Sequence, residues 1–123
     1  MSQTNYNFMQ SLRFALNGIK IAAKYNRNIR IHFVAAIIVF ISSFILKMSP
    51  AETAIIGMMV LLVISAEMIN TAIEEVIDLV TKDYNEEAKI AKDVSAAMVL
   101  IVSTGSIVVG ILLFIPYIFR LLN

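Results

Sequence analysis

The chain has 123 residues, of which 59% are hydrophobic and only 15% charged. A water-soluble domain of this size carries about 25% charge, so the composition argues against an ordinary soluble domain and for an integral membrane protein. A net charge of +1 gives no reason to expect a nucleic-acid partner, and the lack of cysteine excludes disulfides and thiolate metal sites.

Residues 1–30 hold Arg13, Lys20, Lys24, Arg27 and Arg30 and no Asp or Glu. Phe8, Leu12, Phe14, Ala15, Ile19, Ala22 and Ala23 recur between the cations at roughly helical spacing. That pattern predicts an amphipathic helix over 1–30 on an anionic membrane surface, and no cleavable leader, since an early apolar core is missing. The first apolar run covers about 31–48 and carries His32 near its start. It is short for a span of about 20 residues, and flanking polar side chains close the gap by snorkelling.

Pro50 is expected to stop that helix and open the next, with Ser49 as cap and Glu52 in the first turn. The second helix is predicted over 50–80 and the third over about 93–119, with residues 81–92 as a charged connector between them. Asp93 is expected to cap the third helix or to orient Lys92. The basic segments put the N-terminus and the connector in the cytoplasm. Three spans in a single domain result, with Tyr6, Tyr25, Tyr84 and Tyr117 as candidate interface residues.

The informative stretch is the inner half of the second helix. Glu67, Asn70, Glu74 and Asp78 fall within an arc of roughly 80° at about 100° per residue. Polar groups on one stripe of an apolar helix are too costly to face lipid, so they must meet protein, a polar ligand or a metal. With about 1.5 Å rise per residue, Glu67 lies roughly 10 Å inside the membrane boundary, Glu74 close to it and Asp78 beyond it. A carboxylate at depth suits taking a proton from a lipid hydroxyl. Carboxylates at the boundary suit Mg²⁺ and the phosphates of a nucleotide, and Lys92 can neutralise phosphate as a point charge. No glycine-rich phosphate loop is present: Gly18, Gly57, Gly105 and Gly110 stand isolated. From the residues alone, three readings stay open. One is a membrane phosphotransferase, another a proton- or cation-coupled transporter subunit using Glu67, and the third a polar seam that only holds an oligomer together.

Glu67-Met68-Ile69-Asn70-Thr71-Ala72-Ile73-Glu74, followed by Asp78 and by Ala91-Lys92-Asp93, resembles the signature of the prokaryotic diacylglycerol kinase family. Asn28-Ile29-Arg30-Ile31-His32 resembles the branch that includes undecaprenol kinases. The resemblance implies an all-α, homotrimeric helical bundle in the bacterial cytoplasmic membrane that phosphorylates a lipid alcohol from ATP and Mg²⁺. Undecaprenol is favoured over diacylglycerol. It implies Glu67 as the catalytic base, Glu74 as a metal ligand that also carries ATP, and Asn70, Lys92 and Asp93 at the nucleotide. Asp83, Tyr84 and Asn85 are then further nucleotide contacts, with Asp78, Asn28, Arg30 and His32 in support. One departure stands out. Relatives usually carry a metal-ligating glutamate two residues before the Asn-x-Arg-x-His block, where this chain has Asn26. An amide oxygen there implies a neutral, weaker Mg²⁺ ligand or a catalytically weakened relative.

Overall fold

The computed structural model describes residues 7–122. Residues 1–6, including Tyr6 and the start of the expected surface helix, lie outside the described residues, as does Asn123. Four helices follow in order: α1 (Phe8–Tyr25), α2 (Arg27–Ile45), α3 (Pro50–Val80) and α4 (Glu86–Leu122). No strand occurs among the described residues, and α2, α3 and α4 are each long and apolar enough to cross a membrane. The chain is an all-α, multi-pass membrane protein.

Local chemistry sets the ends of these helices. Asn7 and Gln10 form a reciprocal capping box at the start of α1. Helix α1 does not run to residue 30 as expected but stops at Tyr25. Asn26 adopts an extended backbone (φ −99°, ψ 118°), and its side-chain oxygen accepts from the N–H groups of Asn28 and Ile29 at 2.7 and 3.4 Å. One residue therefore ends α1 and starts α2, which begins four positions before the expected 31. At its far end α2 stops at Ile45, ahead of Pro50, because Lys47 enters the left-handed region (φ 52°) and the N–H groups of residues 46–48 bond back onto the last turn. Ser49, Pro50 and Glu52 start α3 as expected, with Ser49 and Glu52 capping each other.

Helix α4 begins at Glu86, seven residues before the expected 93. Asn85 is the reason: its side-chain oxygen accepts from the N–H of Ala88 at 3.0 Å and its carbonyl from Lys89. Glu86 and Glu87 then favour the first turn through the helix dipole. The connector shrinks to residues 81–85, and Asp93 lies two turns inside the helix rather than at its cap. Pro116 sits within α4 without breaking it.

Helix α3 is central and packs against both α2 and α4, while α1 packs on α2. Ile29, Ala36 and Ser43 of α2 and Ile56, Val63 and Asn70 of α3 are all buried at sevenfold spacing, the pattern of helices that share a long seam, here running antiparallel. The hydroxyls of Ser43 and Thr53 meet at 2.9 Å across this seam. At the turn end, Tyr117 of α4 donates to the Glu52 carboxylate at 2.6 Å, and the Arg120 guanidinium lies 5.7 Å from the Tyr117 ring centre. Most large apolar side chains of α2, α3 and α4 point outward, as they do where the surrounding solvent is lipid.

Candidate active site

The acid-and-amide stripe of α3 faces inward at its deep end and emerges at its shallow end. Glu67 is 1% exposed and Asn70 6%, Glu74 is half-buried, and Asp78 is exposed. A buried carboxylate requires a partner, and Glu67 finds it at the α1–α2 junction. The amide nitrogen of Asn26 donates to Glu67 Oε1 at 3.1 Å and to Thr71 Oγ1 at 2.6 Å. The Thr71 hydroxyl in turn donates to the Glu67 carbonyl at 2.9 Å.

One turn on, the stripe is held from α4. Ser95 is buried, and its hydroxyl lies 2.6 Å from Asn70 Oδ1 and 2.9 Å from the Lys92 carbonyl. With its oxygen thus engaged, Asn70 turns its amide nitrogen to Glu74 Oε1 at 3.1 Å. Lys92 Nζ meets Asp78 Oδ1 at 2.6 Å, one turn beyond Glu74. The result is a file of carboxylates and amides from the buried Glu67 to the exposed Asp78, supported by the α1–α2 junction and by α4. The expected residues Glu67, Asn70, Glu74, Asp78 and Lys92 do come together.

Others stand apart. Asp83 and Tyr84 stay exposed in the connector, and no hydrogen bond or ion pair joins them to the stripe among the described residues. Asn85 caps α4, and Asp93 is exposed on α4. Arg30 donates to the carbonyls of Ala23 and Lys24 at 3.1 and 2.9 Å, satisfying the open C-terminal end of α1. The backbone N–H of Asn28 bonds to Asn26. His32 is half-buried on the wall of an apolar groove of about 300 Å³ between α2, α3 and α4, with Ala36, Val60, Val63, Ile64 and Leu113. Val63 and Ile64 lie one turn before Glu67, so the groove runs towards the deep carboxylate.

Thr71 and Ser95 were not legible as site residues. Each is a small hydroxyl whose partner lies on a different element, 45 and 25 residues away, and no local pattern marks such a pairing. Ser95→Ala should leave Asn70 Oδ1 buried without its donor. The expected cost is about 1 kcal/mol in unfolding from detergent micelles, with the helical content unchanged by circular dichroism.

Among the described residues no three His, Asp or Glu side chains converge as a closed metal cage. Mg²⁺ bound chiefly by phosphates and water takes only one or two carboxylates from a protein. Glu74, accessible and oriented by Asn70, fits that part; Asn26 fits it poorly, because its oxygen is already engaged by α2.

A family model described as prokaryotic diacylglycerol kinase matches residues 13–114. A protein named undecaprenol kinase from Bacillus subtilis is 37% identical over 109 residues, covering 89% of each chain. A protein named diacylglycerol kinase from Synechocystis sp. is 36% identical over 111 residues, covering 89% of this chain but 63% of that protein, so the chain spans less than two thirds of its length. With the inward row of Glu67, Asn70 and Glu74 at the heart of the matched region, the chain belongs to the prokaryotic diacylglycerol kinase family, a family of integral-membrane lipid kinases.

Proposed function

We propose that the chain transfers the γ-phosphoryl group of ATP to the hydroxyl of a membrane lipid alcohol, undecaprenol ahead of diacylglycerol, at the cytoplasmic face of a bacterial membrane. The observation that carries this reading is the file of polar groups itself. It joins a buried carboxylate to half-buried and exposed acids and a lysine further along α3 and α4, beside an apolar groove that a lipid tail can fill. Phosphoryl transfer depends mainly on positioning and charge neutralisation, so such a sparse set of groups suffices.

In this reading Glu67 takes the proton of the lipid hydroxyl as its oxygen bonds to the γ-phosphorus. The bond from that phosphorus to the β–γ bridging oxygen breaks, and ADP departs. Asn70 holds Glu74, and Glu74 supplies the carboxylate for the nucleotide's divalent cation. Mg²⁺, when bound, neutralises phosphate charge. Lys92, steadied by Asp78, offsets the remaining negative charge. Asp93, Asp83, Tyr84 and Asn85 border the nucleotide from α4 and the connector. Assembly is as a homotrimer with the N-terminus in the cytoplasm. Within the chain α4 buries only Ser95 among its described residues, leaving its apolar faces to lipid and to neighbouring copies.

Support for undecaprenol comes from the Asn28–His32 block and from the even, 89% coverage with the Bacillus protein. The test is a substrate panel: purified protein, γ-labelled ATP and Mg²⁺, with undecaprenol and diacylglycerol in parallel micelles. Label is expected in both lipids, with the higher kcat/KM for undecaprenol. ATP-independent cation flux without labelled lipid would overturn the reading.

A further inference from the structure

We propose that Asn26 is a positioning residue that clamps the Glu67 carboxylate from the α1–α2 junction, and that it lies outside the metal shell. The inference rests on the reading of Glu67 as the base, but its geometry is independent of that reading.

Donor accounting fixes which way the amide points. The Asn26 oxygen accepts from two backbone N–H groups of α2, at 2.7 and 3.4 Å. On its other side the amide faces the Glu67 carboxylate, which needs a donor, and Thr71 Oγ1, 2.6 Å away, which accepts there while its proton goes to the Glu67 carbonyl. The group of Asn26 that faces Thr71 and Glu67 must therefore be the NH₂. Turning the amide over would set its oxygen against a carboxylate oxygen and its NH₂ against backbone N–H groups, losing both capping bonds and the bond to Glu67. A metal ligand needs the opposite arrangement, with the oxygen towards the cation. One short side chain thus starts α2 with its oxygen and orients Glu67 with its nitrogen. Because Asn26 is the sole residue between α1 and α2, the position of Glu67 Oε1 is tied to the angle between those helices.

The two halves of the side chain can be separated. Asn26→Ser keeps an oxygen that caps α2 but is too short to reach Glu67. In purified full-length protein, the maximal rate of lipid phosphorylation is expected to fall roughly ten- to a hundredfold, as for a misplaced catalytic group, with KM for ATP unchanged. Thermal melts followed by circular dichroism give a second readout. Asn26→Ser should lower the melting temperature more in the wild-type background than in Glu67→Ala, where only the bond to Thr71 is left to lose. In the presence of Mg²⁺ alone, wild type and Asn26→Ser should shift equally. A wild-type kcat in Asn26→Ser, additive melts, or a Mg²⁺ shift that Asn26→Ser abolishes would each overturn the proposal. Should Glu67→Gln prove fully active, the base assignment fails by itself, and the melting cycle alone decides the clamp.

Discussion

Glu67→Gln is expected to lower the rate of lipid phosphorylation by about two to four orders of magnitude, the range for loss of a general base. Glutamine has nearly the same shape, and its side-chain oxygen can still accept from the Asn26 amide, now 3.1 Å from Oε1. The helices should therefore form and pack as before, which circular dichroism and gel filtration in detergent will check. What glutamine cannot do is take a proton. The loss should fall on kcat and leave KM for ATP in place, because Glu67 lies about two turns deeper on α3 than Glu74, the carboxylate given to the nucleotide's cation. Labelled lipid formed at the wild-type rate would remove Glu67 from the chemistry.

Glu74→Gln should fail differently. The amide of glutamine keeps an oxygen for the Asn70 NH₂, so the Ser95–Asn70 pairing survives. Loss of the negative charge weakens the attraction for a hard cation. The Mg²⁺ concentration giving half-maximal activity is expected to rise on the order of 10- to 100-fold, and excess Mg²⁺ should restore most of the rate. Titrating Mg²⁺ at saturating ATP distinguishes the two variants, since no amount of cation should rescue Glu67→Gln. A Glu74→Gln enzyme with an unchanged Mg²⁺ dependence would move the cation elsewhere.

Helix α3 was the most legible part of the chain. Its limits at Pro50 and Val80 follow from local signals, since Ser49, Pro50 and Glu52 fit a helix start and little else. The inward turn of Glu67 and Asn70 follows from the cost of polar groups in lipid. The starts of α2 and α4 were misplaced for one shared reason. Both are capped by asparagines, Asn26 and Asn85, whose side-chain oxygens accept from backbone N–H groups of the helix that follows, a capping role that a resemblance placing them beside metal and nucleotide does not point to. The charge density of residues 86–92 read as a loop, although acids in a first turn favour a helix. Ser95 and Thr71 were invisible because their partners are set by how helices pack, and packing has no local signature.

The lengths of α3 and α4 carry a consequence for the environment of the site. Their 31 and 37 residues correspond to about 46 and 55 Å of helix, against a hydrocarbon layer of about 30 Å. The excess must stand in the headgroup zone or the water beyond it. One uninterrupted helix, α3, thus carries Glu67 towards one solvent and Asp78 towards another. Where the hydrocarbon edge crosses that helix depends on bilayer thickness and helix tilt. The acyl-chain length of the host lipids therefore acts as a tuning parameter for the depth at which the two reactants meet.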